Sequence, residues 1–218
     1  MFSFRTILMV AAIALPILSN AQCGNSSRSD FGIYLGFNNY NQSAPANYEL
    51  NTGGSRFVAL GWRRNLRLVN GTGAALRLGI GPEIAWNNFM FENKNVLAER
   101  NNQLFVEPAS IDVKKSKLTV AQLNLPVLLN LSFKPSRLSI GVGAYAGVRV
   151  DSYTKVKPVV GDTERTKGSY NLNNVRWGLM TELGWSGRSK LFFRYEPTTL
   201  FRTNEGPELN VWAVGVRL

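Results

Sequence analysis

Nine charged residues sit where a chain of alternating character hides them from its apolar face. They are Arg63, Arg77, Glu83, Arg149, Arg176, Glu182, Arg194, Glu196 and Arg217. Arginines set among glutamates have three chemical uses: a proton path, the lining of a pore, or an active site. General acid–base catalysis at neutral pH most often relies on histidine, and this chain has none. Its one cysteine, Cys23, cannot make an internal disulfide. Zinc sites and Ser-His or Cys-His catalysis therefore lack their usual residues. Ser110, Ser116 and Asp112 are the nearest approach to a hydrolytic set, and serines in loops are ordinary. No catalytic residue, metal ligand or cofactor is expected. The nine charges read as a salt-bridged filling.

The segments that carry these charges have a period of two, which means strands. Eight are expected, over residues 31–37, 57–66, 74–86, 117–133, 138–151, 172–185, 191–196 and 209–218. The last sets the pattern. Trp212, Val214, Val216 and Leu218 share one face, and Val211, Ala213, Gly215 and Arg217 share the other. Throughout, one face is large and apolar while the other collects glycines and the nine charges. An Arg or Lys against lipid costs ~2–4 kcal/mol at the bilayer midplane. The apolar face therefore points to lipid and the charged face points into a lumen. Connections alternate between long loops (39–55, 87–116, 152–170, 197–207) and short turns near Asn70-Gly71, Lys134-Pro135-Ser136-Arg137 and Ser186-Gly187-Arg188-Ser189. Short turns on one side, long loops on the other and an even strand count describe a membrane barrel. The expected fold is all-β: an eight-stranded antiparallel up-and-down transmembrane β-barrel. Its interior is just wide enough for side chains, which argues against an open pore. Pro126 removes a ladder donor and predicts a bulge or kink nearby. Trp62, Trp86, Trp177, Trp185 and Trp212 are candidates for interfacial girdles.

Residues 1–21 have the tripartite pattern of a secretory signal peptide, with Arg5, an apolar run and Ser19-Asn20-Ala21 before the expected cut. Residues 22–218 then form the barrel domain. Gln22 before Cys23 is not the small residue that lipidation favours. The formal charge of +11 is scattered along the chain. No nucleic-acid module is visible, and anionic lipid headgroups or lipopolysaccharide suit the excess better. Expected partners are outer-membrane lipid, the outer-membrane assembly machinery and an envelope or secretion-system protein met by the external loops. Trp212, Val214, Val216 and Leu218 form the expected assembly signal, with Leu218 in place of the more usual phenylalanine.

Leu123-Asn124-Leu125-Pro126-Val127-Leu128-Leu129 resembles the Leu-x-Ile-Pro-Leu-Leu element of the PorT-like outer-membrane β-barrel family. As in that family, a turn and a glycine-rich strand follow, here Gly141-Val142-Gly143-Ala144-Tyr145-Ala146-Gly147. Leu78-Gly79-Ile80-Gly81-Pro82-Glu83 and the strand of Tyr195 fit the same pattern, while Asn124 departs from a position commonly acidic there. The resemblance implies a barrel with a role in secretion-system assembly, adhesion or envelope integrity, and no catalytic motif. The functional expectation is a non-enzymatic outer-membrane barrel that presents its external loops. Two alternatives stand beside it: an outer-membrane lipid-modifying enzyme, and a soluble lipocalin-like barrel with its apolar face inside.

Overall fold

A computed structural model describes residues 28–41, 45–100, 103–109, 112–185 and 189–218. The expected signal peptide, Cys23, Ser110 and positions 186–188 of the third short turn lie outside the described residues. The strands are β1 (Arg28–Tyr40), β2 (Arg56–Asn70), β3 (Ala74–Ile80), β4 (Glu83–Met90), β5 (Asn95–Arg100) and β6 (Gln103–Pro108). They continue with β7 (Val113–Phe133), β8 (Leu138–Pro158), β9 (Glu164–Lys167), β10 (Val175–Trp185), β11 (Lys190–Thr199) and β12 (Asn210–Arg217).

Ten strands form one antiparallel sheet, and β5 with β6 forms a separate hairpin. Within the sheet, β3 and β4 follow one another along a single stave, and β9 is an addition to the outer flank of β8. Eight staves remain, and they close. β1 pairs with β2 on one side and with β12 on the other, from Tyr34 opposite Arg217 to Tyr40 opposite Val211. Closure continues past the end of β12. The Leu218 amide donates to the Ile33 carbonyl at 2.9 Å, and the Ile33 amide donates to the Leu218 carbonyl at 3.2 Å. A closed ring leaves no strand edge unpaired, which hydrocarbon requires.

Alternation sorts the side chains as the two-residue period demands. Phe31, Leu35, Trp62, Leu125, Val142, Trp177, Phe193 and Val216 are exposed on the outer wall. Tyr34, Phe57, Leu128, Tyr145, Met180 and Phe192 are buried inside together with the charges. The soluble, inverted arrangement is thereby overturned: the large apolar side chains face out and the ionised ones face in. Trp62 and Trp185 lie towards the end where β1 starts and β12 stops, here called the terminal end. Trp62 pairs with Phe31 and Trp185 with Leu138. Trp86, Trp177 and Trp212 lie towards the opposite, loop end.

Three departures from the expected strands have local causes. The third expected strand is broken at Gly81-Pro82. A Cβ on Gly81 would lie 2.0 Å from the Trp62 carbonyl oxygen, so only glycine permits this approach. The Trp62 amide donates to the Pro82 carbonyl at 3.0 Å and carries the ladder across the break. Pro126, by contrast, sits in an unbroken β7 and keeps its register with Tyr145 of β8. On its other side, β7 residues 117–124 pair with β4 and 127–133 with β3. Pro126 thus falls beside the gap in the neighbouring stave, where no ladder partner waits. The nearest irregularity lies instead between Ala121 and Gln122, whose partners Asp151 and Arg149 leave Val150 as a bulge in β8. Finally, the Asn70-Gly71 turn is a three-residue loop, Gly71-Thr72-Gly73. Asn70 is still paired with Ala75, and the Gly71 amide donates to the Ala74 carbonyl at 2.9 Å.

Strands also run further beyond the wall than the alternation suggests. β8 continues to Pro158 with β9 beside it, and β5 and β6 form a hairpin inside the longest expected loop.

Deleting Leu218 removes both of its hydrogen bonds to Ile33 at the seam between the first and last staves. Outer-membrane assembly, read as heat-modifiable migration on a gel, should fall well below wild type. Normal migration of the truncated protein would show that the seam does not need its last residue.

Candidate functional site

The lumen is built in layers that can be followed from the terminal end. The first layer centres on Glu182 of β10. Arg63 of β2 donates to its Oε1 at 2.7 Å, the Tyr34 hydroxyl donates to the same oxygen at 2.7 Å, and Lys190 of β11 reaches Oε2 at 3.2 Å. Arg63 also donates to the Tyr34 hydroxyl oxygen. Arg217 of β12 binds Asp30 at the mouth, with its Nε 4.0 Å from Glu182.

The second layer centres on Arg194. Its Nη1 and Nη2 donate to the two oxygens of Glu83 at 2.7 and 2.6 Å, a parallel two-bond fork. Asn124 adds a third donor to Glu83 at 3.1 Å. The guanidinium is ringed by aromatic groups, with its carbon 4.8 Å from the Tyr34 ring centre, 4.9 Å from Phe57, 5.1 Å from Tyr145 and 5.8 Å from Phe192. Each lies within cation–π range.

A third pair lies alongside. Arg176 Nη1 is 2.9 Å from Glu196 Oε2, although the angle does not make a hydrogen bond, and the Tyr145 hydroxyl donates to Glu196 Oε1 at 2.9 Å. Tyr145 has room because position 178 is glycine. A Cβ there would lie 2.7 Å from the Tyr145 ring. Above these pairs runs a belt of amides: Asn38 donates to Asn87 at 3.2 Å, and Asn87 donates to Gln122 at 3.3 Å.

The loop end is sealed by apolar side chains. Tyr40, Phe89, Leu118 and Val211 come from the tops of the staves and Leu200, Phe201 and Leu209 from the loop side, in one buried cluster. Tyr48 joins them, donating to the Leu104 carbonyl of the β5–β6 hairpin at 3.5 Å. Burial raises its hydroxyl pKa above the ordinary tyrosine value. Beyond the seal, a cleft of about 370 Å³ opens between the hairpin and the β8–β9 extension, lined by Val96, Leu97, Val113, Thr154, Thr166 and Tyr170 among others.

Seven of the nine charges named in the sequence meet in the lumen: Arg63, Glu83, Arg176, Glu182, Arg194, Glu196 and Arg217. Two do not join them. Arg77 is half-buried on β3, opposite Arg67 and Asn130, and no ion pair involves it among the described residues. Arg149 stands beside the β8 bulge at the loop end. It donates to Ser152 Oγ at 2.6 Å, Asn174 Oδ1 at 2.6 Å and the Ser169 carbonyl at 3.2 Å, and so ties a loop to the wall. Alternation reports which face a residue takes but not its height, and these two stand near the rims. Asp30, Tyr34, Tyr145 and Lys190 complete the network but were not singled out in the sequence, and Asn124, noted there only as a departure from the family pattern, joins them. Asp30 and Lys190 continue the inward parity one residue beyond the expected strands, so the same pattern carried their signal. The hydrolytic candidates do not form a set. Ser116 is buried on β7, while Asp112 is exposed and bound to Lys94 at 3.1 Å.

Comparison with known families agrees with this architecture. The family described as outer membrane protein beta-barrel domain matches residues 20–197. No curated protein matches the sequence. Among solved structures, the chain is similar to Ail, the attachment invasion locus protein of Yersinia pestis, in its crystal structure with the heparin analogue sucrose octasulfate. The two are 14% identical with a TM-score of 0.37, over 89% of this chain and 100% of that one.

The Glu83–Arg194 fork gives a direct test of the lumen. Glu83→Gln leaves a buried guanidinium without its counter-charge, which should cost ~3–5 kcal/mol. Replacing both Glu83 and Arg194 with Met should recover most of that loss. Urea unfolding in lipid vesicles, followed by tryptophan fluorescence, measures both. A Glu83→Gln protein as stable as wild type would refute the assignment.

Proposed function

We propose, for a chain that belongs to the outer membrane protein beta-barrel domain family, that it is a closed, non-enzymatic barrel that displays its loop end outside the cell as a binding surface. The observation that carries this reading is the filled interior. Paired charges occupy the lower lumen, an amide belt crosses it, and an apolar seal closes the loop end. A barrel filled from end to end has no use for its lumen as a conduit. The β5–β6 hairpin and the β8–β9 extension stand beyond the wall, where a partner can reach them. Short turns at the terminal end and long connections at the other support the outward orientation of the loop end. The absence of histidine from the sequence supports a role without catalysis. Within the family, the Leu123–Leu129 element supports a PorT-like member with a part in envelope or secretion-system assembly. Export by a signal peptide over residues 1–21 belongs to the same reading.

Two measurements test the proposal. The purified protein in planar bilayers should show no unitary conductance, and stepwise channels would overturn the closed lumen. A photo-crosslinker at Val160, an exposed apolar tip of the β8–β9 connection, should give a discrete protein adduct in intact cells, while one at lipid-facing Leu129 should not. Absence of adducts from Val160 would remove the binding surface.

A further inference from the structure

The outer wall changes character abruptly on the β4–β7–β8–β9 side. Register places Trp86, Ala121 and Asp151 in one outward row across β4, β7 and β8. Below it, β7 presents Leu123, Leu125, Val127 and Leu129 to lipid. A tryptophan above such a band marks the membrane–water interface. The next outward row is Asn88, Thr119, Tyr153 and Lys167. The one after is Met90, Lys117, Lys155 and Arg165, and above it Lys115 stands opposite Lys157. Rows two residues apart in strands tilted by ~40° are separated by ~5 Å along the membrane normal. The cations therefore stand ~5–15 Å above the tryptophan row. That is headgroup height, and long lysine side chains can reach down towards it.

Like charges placed directly across a sheet destabilise it. Here Lys155 has a cation on both sides, Lys117 on β7 and Arg165 on β9. Lysines often protect the exposed edge of a sheet, but Lys155 lies on β8, the middle strand of this extension. Asp151 is the acidic residue set among them, 3.7 Å from Arg165 and 3.9 Å from Lys167. The guanidinium carbon of Arg165 sits over the Tyr153 ring, 3.6 Å from its centre, which holds one cation in place. A ladder of cations kept against its own repulsion, directly above a lipid-facing wall, fits a multiply charged anion anchored in that lipid.

We infer that the outward face of Lys115, Lys117, Lys155 and Lys157, with Arg165 and Lys167, binds the phosphorylated saccharide headgroup of the outer-leaflet glycolipid. The inference rests on the reading that the loop end faces outside, but the binding test below does not depend on orientation. The purified protein in zwitterionic detergent is titrated with diphosphoryl lipid A, and thermal unfolding is followed. Wild type should gain stability with diphosphoryl lipid A and not with its dephosphorylated form. The variant Lys115→Gln/Lys117→Gln/Lys155→Gln/Lys157→Gln should need about tenfold more lipid A or greater for the same gain. Without lipid A it should melt no lower than wild type, because the like-charge rows are gone. Lys155→Gln alone, the mildest change, should weaken the response several-fold. The inference is overturned if the variants respond as wild type does, or if the dephosphorylated lipid serves equally. It is also overturned if inorganic phosphate gives the same gain at the same concentration, since the occupant would then be a soluble anion.

Discussion

Everything inside this barrel is arranged around the two-bond fork between Arg194 and Glu83. A guanidinium and a carboxylate removed from water lose several kcal/mol each in hydration, and only close, well-angled pairing returns it. The fork supplies that pairing at 2.7 and 2.6 Å, and Asn124 satisfies Glu83 further. The faces of Tyr34, Phe57, Tyr145 and Phe192 then do for the cation what water would do outside. The rings are shared with the neighbouring pairs. The Tyr34 hydroxyl serves Glu182 and the Tyr145 hydroxyl serves Glu196. The three ion-pair groups are thus one network, joined through tyrosines whose faces hold one charge and whose hydroxyls hold another. Burial and satisfaction of each pair depend on the positions of the others.

Ring closure makes such a network both necessary and affordable in space. Lipid outside requires large apolar residues on the outer face of every stave, and the inner face must then fill a narrow tube. Small residues on that face let long side chains cross it. Gly178 leaves the place that Tyr145 occupies. The same economy of space explains how a proline enters the wall. The gap at Gly81-Pro82 and the proline at 126 are neighbours across two staves, so two missing ladder donors share one interruption. Above the polar layers, Phe89, Leu118 and Val211 take inward positions that charged or amide residues take lower down. The lumen passes from ionic to apolar along its axis, and the apolar end lies on the loop side.

Much of this was legible in the sequence because a barrel wall is the simplest case of alternation: each residue has lipid or lumen opposite it. The eight staves and the face of each residue below the β8 bulge follow from that period. Height does not. Arg77 and Arg149 share the inward parity of Arg63 and Arg176, but they stand near the rims and meet solvent or loop atoms instead of glutamates. The apolar seal was hidden for a related reason. Leu200 and Phe201 lie in a segment whose composition is that of a loop, and Tyr48 lies in another. Their burial depends on which loops converge over the same opening, a contact between distant segments that no local period encodes. The break at Gly81-Pro82 was masked because alternation resumes in phase on its far side. Val150 shows the opposite: one bulged residue shifts the parity of β8, so that both Arg149 and Ser152 turn inward.

That shift also decides what the wall presents above the membrane. Below the bulge the even-numbered residues of β8, such as Val142 and Val148, face lipid; above it the odd-numbered ones face outward, beginning with Asp151 and continuing through Tyr153, Lys155 and Lys157. Without the bulge, with Val150 kept in a regular alternation, Thr154 and Val156 would stand on the outer face beside Lys117, and the lysines would point over the mouth of the lumen. With it, Thr154 faces inward to Tyr170, 3.0 Å away, and lines the cleft under the hairpin. A single unpaired residue at the level of the tryptophan row thus separates two chemistries on one strand. It turns the cationic side chains of β8 to the outer face of the wall and the neutral ones to the loop assembly. The sheet itself runs on through the change, and β7 keeps its own parity from Lys115 to Leu131. The wall thus remains one continuous support, and the bulge sets which residues of β8 stand on its outer face above the tryptophan row.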